Sequence, residues 1–502
     1  MSNGFVTVGH CIEGLPIGQF VWELLLSAFL ICFWLGAMNE PTPFAMGLIS
    51  TDWSLSELSV QAVLAVMSIG NATSLVLFGW LADRYGRAMV MRNLLLLTFA
   101  AALFMQGSRT LELTLCARFL IGLCSGGIMA ALLPLIAELL PAKGRGFYLT
   151  VWCCGRPTGA LFAVIISCLL PQMQWINFIF LLMLPALVLY ILCRLEVIPE
   201  SPRFLYLMGK REEGYFTLLD MYDKEATYLP WAPESVSLTS SPDPKEVKAI
   251  GLETLHHSDA ASTAFLCLIV FLINCASQCM RAWAPMTALT STSQQNPLAL
   301  IAFPFCKAHM AGSSGLSLLQ GPPDHHLVMV VAQGYMLEIC GTVLCAAISS
   351  VVSRRWLIRG ALFLAACLSF ATTVAEGHHM WFSAGPLYGI VLMAQSAAFN
   401  FILVYTCERF PTSSRASAVG LVLFFGQVAQ LFMPAMGVVL LRHMSEQSVL
   451  CTFNSLYLVA LLLTFQLPLP SFRERTLHDI DEGKAGRDAQ RRKRLGVSYQ
   501  TV

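Results

Sequence analysis

Gly79-Trp80-Leu81-Ala82-Asp83-Arg84-Tyr85-Gly86-Arg87 runs out of one long apolar stretch, residues 58–80, and leads into another, residues 90–108. A helix needs about 20 mostly apolar residues to cross the hydrocarbon core of a bilayer, and both neighbours meet that length. The charged stretch between them therefore reads as a tight turn joining two membrane spans, where glycine permits the sharp reversal.

Ten more stretches of the same kind lie on either side. The twelve candidate spans are residues 18–38, 58–80, 90–108, 113–137, 147–170, 175–195, 261–282, 328–350, 358–376, 384–405, 416–440 and 448–468. Composition agrees: hydrophobic residues make up 56% of the 502 and charged residues 12%, against about 25% charged in soluble domains. This excludes a water-soluble enzyme, and a net charge of +1 excludes the electrostatic footprint of a nucleic-acid binder. The 17 cysteines fall mostly inside apolar stretches, where thiols pack as small hydrophobes. None forms a metal-ligand spacing with histidines, so neither a metal nor a cofactor is expected. The first span lacks a basic leader and a small-residue cleavage site, and is expected to be retained.

Lysine and arginine are held on the cytoplasmic side of membrane proteins. Placing both termini there puts 25 of the 31 basic residues on that side. The expected product is a multi-pass membrane protein with both ends cytoplasmic, in a plasma or internal membrane. It divides into a cytoplasmic N-terminus (1–17), a first six-span bundle (18–195), a cytoplasmic linker (196–260), a second six-span bundle (261–470) and a tail (471–502). The linker is acidic and carries Ser237-Leu238-Thr239-Ser240-Ser241-Pro242, and the Gly-, Ser- and Pro-rich loop 283–327 lies outside. The tail motif Arg491-Arg492-Lys493-Arg494 reads as a solvated charge run.

The two halves share a repeat. After span 4 the chain reads Glu138-x-x-Pro141-x-x-x-Arg145-Gly146, and 270 residues later Glu408-x-x-Pro411-x-x-x-Arg415-Ala416. The turn after span 2 has a weaker counterpart after span 8, Ser349 to Arg355, which keeps its arginines and has lost the acid and the glycine. Related halves in a transporter place a binding site between them.

With these residues in view, GWLADRYGR resembles the signature loop of the major facilitator superfamily. Glu138 through Gly146 and Pro199-Glu200-Ser201-Pro202-Arg203-Phe204-Leu205 resemble its sugar-porter and organic-ion branches. Phe20, Trp22 and Leu24, Ala142-Lys143-Gly144-Arg145, Glu338-x-x-Gly341 and Tyr405-x-x-Glu408-x-x-Pro411-Thr412-x-x-Arg415-Ala416 look most like the group related to synaptic vesicle protein 2. The resemblance implies an all-α membrane protein of twelve helices in two six-helix bundles, working as a monomer. Two departures stand out: span 1 reads Gly36-Ala37-Met38-Asn39-Glu40, displacing the carboxylate its relatives carry, and Cys153 stands where sugar porters place a glutamine.

Charged groups inside spans are costly and face a cavity or a partner. Arg156, in span 5 between Gly155 and Pro157, is the first candidate for binding an anionic solute, or else pairs with a carboxylate. Glu338 in span 8 is either that partner or a proton carrier, and Glu40 is the second proton-coupling candidate. Arg281 is expected to snorkel and Arg118 to be structural. Trp152, Asn274, Gln278, Gln395 and Asn400 complete the expected substrate site. Asn71-Ala72-Thr73 matches a glycosylation pattern but lies within span 2, out of reach of modification. Asp83, Arg84, Arg87, Glu138, Arg145, Glu408 and Arg415 are expected to form a cytoplasmic latch.

The leading expectation is a secondary transporter of a small organic solute by alternating access, with an organic anion favoured over a cation or sugar and a proton as the coupling ion. The alternative is a transporter-shaped protein with a binding or regulatory role, supported by the eroded second loop. No Ser-His-Asp or metal constellation suggests an enzyme.

Overall fold

In a bilayer every backbone polar group must be satisfied within the protein, so long apolar stretches fold as helices. The computed structural model describes residues 6–39, 57–169, 175–195, 197–237, 260–290, 325–349, 351–377, 381–444 and 446–467. Glu40, most of the 283–327 loop, part of the linker and the tail lie outside the described residues.

A short strand β1 (Val6–Thr7) and helix α1 (Val8–Glu13) precede α2 (Gln19–Asn39), α3 (Glu57–Tyr85), α4 (Arg87–Gln106) and α5 (Leu111–Leu139). Span 5 is α6 (Arg145–Cys153) with α7 (Gly155–Leu169), and span 6 is α8 (Trp175–Met183) with α9 (Pro185–Arg194). Pro185 has no N–H to continue the ladder from α8, hence the second break. The first is slight: Cys154 stays right-handed helical at φ −61° and ψ −21°, so Gly155 and Pro157 do not open the backbone there. The linker contributes α10 (Pro202–Leu207), α11 (Arg211–Lys224) and β2 (Val236–Ser237). The second half consists of α12 (Ala260–Thr290), α13 (His325–Ser349), α14 (Arg354–Gly377), α15 (Trp381–Arg409), α16 (Arg415–His443) and α17 (Glu446–Leu463).

Ten helices among the described residues are long and apolar enough to cross a membrane, and the shorter apolar helices Phe180–Arg194 and Ser448–Leu463 fall on spans 6 and 12. The twelve spans of a two-bundle membrane protein are thus accounted for in chain order. Within the first bundle α3 packs along α5 and α2 along α7; within the second, α14 and α13 pack on α15, and α12 on α16 and α17. The bundles meet where α3 lies on α16 and where α6 and α7 lie on α13. A Cβ on Gly420 of α16 would sit 2.1 Å from the Leu75 carbonyl oxygen of α3, so the two backbones touch and only glycine fits.

One correction concerns the signature stretch itself. It is not a loop: α3 runs through Tyr85 and α4 starts at Arg87, leaving Gly86 alone to reverse the chain at φ 113°, ψ 143°. Asp83 and Arg84 therefore ride on the last turn of a helix.

Beneath this end of the molecule the N-terminus and linker form a small layer. β1 pairs in parallel with β2. The Tyr222 hydroxyl donates to the Cys11 carbonyl at 2.7 Å, and Glu225 Oε1 accepts from the Val21 N–H at 3.3 Å near the start of α2.

Candidate functional site

The charged side chains gather in two places, at the turn end of α3 and in the middle of the molecule. At the turn end the two bundles are clamped together. Asp83 Oδ1 accepts from Arg87 Nη2 at 2.9 Å and from the Ala416 N–H at 3.1 Å, while Oδ2 accepts from the N–H and hydroxyl of Ser417, each at 2.7 Å. The carboxylate closes the last turn of α3 onto the first turn of α16, where the orphan N–H groups and the positive end of the helix dipole favour an anion.

Glu138 Oε1 lies 2.5 Å from Arg415 Nη1 and 3.4 Å from Arg87 Nη2. Glu408 faces Arg145, 3.9 Å away, and Arg354. The two halves of the repeat exchange partners: the glutamate of each motif meets the arginine of the other. Arg87 also donates to the Thr412 carbonyl, and Arg415 donates to the carbonyls of Cys407 and Phe410 at 2.8 and 3.1 Å. Asp83, Arg87, Glu138, Arg145 and Arg415 are all 0% exposed, so water is shut out of the network. Glu200 braces it from the linker, accepting from the N–H groups of Arg87 and Ala88 at 3.1 and 3.0 Å. Burial pushes the Glu200 carboxyl above its ordinary range, against the Arg87 guanidinium and the N–H groups of Ser201 and Arg87, which pull it down.

Six of the seven expected latch residues meet here. Arg84 does not: it is exposed, with its guanidinium over the rings of Trp80 and Tyr85. The residue in its place is Arg354, from the copy of the turn that had lost its acid. Arginine at the start of α14 was the surviving signal, and Arg354 uses a Glu408 supplied by another helix.

The second gathering lines two adjoining chambers at the bundle interface. The larger takes in about 1300 Å³ of space continuous with solvent, between Cys32, Leu35 and Asn39 of α2, Met67 to Leu75 of α3, and Gly426 to Gln430 of α16. The α3 residues of this wall lie well back along the helix from Asp83: Asn71 and Asp83 are about 18 Å apart at about 1.5 Å of helix rise per residue. Among the described residues the charged one on this wall is Arg156, and amides line the same chamber: Asn39, Asn71, Asn274, Gln278, Gln427 and Gln430. The smaller chamber shares Arg156, Asn274 and Gln278 and adds Gln395, Asn400, Arg281 and Glu338.

Five of the six expected substrate residues therefore line the chambers. Trp152 does not: its indole N–H donates to the Ala28 carbonyl at 2.8 Å and the ring is 1% exposed, so it joins α6 to α2. Gln395 lines the smaller chamber but donates to the Ser277 hydroxyl at 2.8 Å and accepts from Tyr457, which fixes it. Glu338 is gripped by Arg281 Nη2, 3.0 Å from each carboxylate oxygen. Arg281 is thus an ion-pair partner on the wall and does not simply snorkel. Arg118 is buried in α5 with Nη1 3.4 Å from the Met67 sulfur. Asn71, set aside as a failed glycosylation match, and Gln427 with Gln430 are wall residues; a run of amides inside apolar helices was the available signal.

Comparison with known proteins places this architecture. Residues 24–434 match the Major Facilitator Superfamily, and the chain belongs to that family. It is 28% identical over 280 residues, 55% of its length and 60% of the relative's, to the 4-hydroxybenzoate transporter PcaK of Pseudomonas aeruginosa. It is 29% identical over 205 residues, 41% of its length and 46% of the relative's, to the niacin transporter NiaP of Acinetobacter baylyi. The chain thus spans only about half the length of these two curated relatives. With the putative niacin/nicotinamide transporter NiaP of Bacillus subtilis the match covers 84% of this chain and 88% of that one at 23% identity. Among solved structures, the proton:xylose symporter XylE, bound to a halogenated deoxyglucose, aligns over 91% of this chain and 98% of its own with a TM-score of 0.65 and 16% identity. The likeness to XylE shows the twelve-helix fold of a multi-pass integral membrane protein.

Proposed function

We propose that this chain is a secondary transporter that carries a small organic anion, an aromatic carboxylate, by alternating access of the chambers. The observation that carries the reading is Arg156: it supplies the charge on the wall of the larger chamber, half-buried among amides, where the two bundles meet. A guanidinium presents a planar fork of donors that matches a carboxylate bidentately. Phe399, Met67 and Met129 on the same wall suit a flat apolar ring, and the amides suit ring hydroxyls or a ring nitrogen. The substrates for which these relatives are named, 4-hydroxybenzoate and niacin, share that chemistry.

The latch gives the mechanism its second state. With the termini cytoplasmic, the clamp seals the cytoplasmic side and the chambers face the opposite side. Transport requires the network to part as the bundles rock, a rearrangement between two discrete packings. No ATP-binding loop occurs in the sequence, so an ion or solute gradient supplies the energy. Glu338 is the carboxylate on the chamber wall that a coupling proton would use, and the transporter works as a monomer in the bilayer. The rival reading, a transporter-shaped binding protein, drew on an eroded second loop. The Arg354–Glu408 pair supports the transporter reading against it.

Uptake into proteoliposomes tests the proposal. The purified chain should accumulate 4-hydroxybenzoate or nicotinate above empty vesicles, while hexoses and organic cations stay at background. Uptake of a hexose or a cation with no uptake of aromatic carboxylates contradicts it.

A further inference from the structure

Buried amides in proteins are hydrogen-bonded as a rule, and two on the wall of the smaller chamber keep capacity for a solute. They are Asn274 on α12 and Asn400 on α15, 9% and 6% exposed. Gln395 on the same wall is spent: its amide N–H donates to the Ser277 hydroxyl and its carbonyl accepts from Tyr457. Asn274 is half spent. Its Nδ2 donates to the Val270 carbonyl one turn back at 2.9 Å, and because a carbonyl can only accept, the orientation of the amide is fixed. The same nitrogen lies against Gly426, where a Cβ would come within 3.0 Å of it. The end of Asn274 left for a solute is therefore Oδ1, an acceptor. Asn400 makes no side-chain hydrogen bond among the described residues, so its amide offers both a donor and an acceptor.

We propose that Asn274 and Asn400 select aromatic acids that carry a ring hydroxyl, which donates to Asn274 Oδ1 and accepts from Asn400 Nδ2. The inference rests on the reading of the chambers as an aromatic-carboxylate site and adds the group that discriminates among such acids. A hydroxyl both gives and takes a hydrogen bond at one atom. A bare ring does neither: benzoate would cover both amides without pairing them, and a buried polar group left unpaired costs its desolvation. A ring nitrogen can accept from Asn400 but has nothing to donate to Asn274. Sites built to bond a hydroxyl reject the analogue lacking it far more sharply than apolar pockets reject a missing methylene. Asn274 and Asn400 belong to the second bundle and Arg156, on α7, to the first, so on this reading a hydroxylated acid is held by both bundles at once.

The test is ligand-induced thermal stabilisation, titrated to give apparent affinities, of the full chain in detergent. The probes are benzoate, nicotinate, 3-hydroxybenzoate and 4-hydroxybenzoate. In the wild type the better of the two hydroxybenzoates should bind about tenfold or more tighter than benzoate, with nicotinate between them. Asn400→Leu and Asn274→Leu, which put an apolar side chain of similar size in place of each amide, should each reduce the hydroxybenzoate-to-benzoate affinity ratio by about fivefold or more. Hydroxybenzoates that bind no tighter than benzoate to the wild type overturn the selection, and that comparison needs no variant to fold. A ratio unchanged in both variants overturns the assignment to these two asparagines. In either case benzoate binding leaves the carboxylate reading standing, whereas a wild type that answers to none of the four acids overturns that reading and the selection with it.

Discussion

The latch and the chambers are made of the same side chains, arginine set against glutamate or aspartate within apolar helices, and they differ in how far water reaches them. In the latch Asp83, Arg87, Glu138, Arg145 and Arg415 are fully buried and bind one another and helix ends across the bundle interface. In the chambers Arg156 is half-buried in a space continuous with solvent, and the Arg281–Glu338 pair keeps some exposure. On the proposed reading, the charges sealed from water hold the protein in one state, and the charges that keep water face the solute. Latch substitutions should therefore move the conformational equilibrium and leave recognition intact, with chamber substitutions doing the reverse.

The largest effect should come from Glu138→Ala, which leaves Arg87 and Arg415 facing each other without their shared carboxylate. Breaking a buried pair from one side costs about 3–5 kcal/mol. We expect the latch to open, so that Cys407, buried beside the Arg415 contact, becomes reactive to thiol reagents; unchanged protection would break the comparison. Gly420→Val comes next, since its Cβ would meet the Leu75 carbonyl and overpacking costs about 1–3 kcal/mol. Spin-label distances between α3 and α16 at the latch should lengthen. Asp83→Asn keeps an acceptor for the Ser417 N–H but loses the charge facing Arg87, worth about 1.5–3 kcal/mol for a charged hydrogen bond before the retained cap is subtracted. Its opening should be detectable by the same Cys407 labelling and weaker than that of Glu138→Ala. Arg84→Ala, at an exposed position outside the network, should stay within about 0.5 kcal/mol of wild type in thermal unfolding. In all four, affinity for the solute in the latch-closed state should match wild type.

The span count and the repeat were legible in the sequence because both depend on what lies along the chain: runs of apolar residues, and Glu138 to Arg145 recurring at Glu408 to Arg415. That the repeats trade partners is a consequence of two bundles facing each other, and the spacing alone leaves open whether Glu138 binds Arg145 or Arg415. What faces where around a helix was harder to read. Helices apolar on every side carry no stripe to tell the lipid face from the bundle face. Trp152 therefore looked as good a wall residue as Gln278 and turned out to join two helices. Arg84 and Arg87 looked equivalent in the signature stretch until α3 continued to Tyr85 and turned Arg84 outward. The Arg281–Glu338 pair joins residues 57 positions apart, which composition does not report. Arg354 shows the converse: a motif that has lost its own acid still finds an ion-pair partner when the fold supplies one from elsewhere.

The most direct test of the central claim is equilibrium binding of radiolabelled nicotinate or 4-hydroxybenzoate to the purified wild type, Arg156→Ala and Arg156→Lys. We expect Arg156→Ala to lose binding by about tenfold or more while its thermal unfolding stays cooperative, and Arg156→Lys to recover part of it, because the charge returns without the planar fork. Arg156→Ala binding the carboxylate as tightly as wild type would contradict the account.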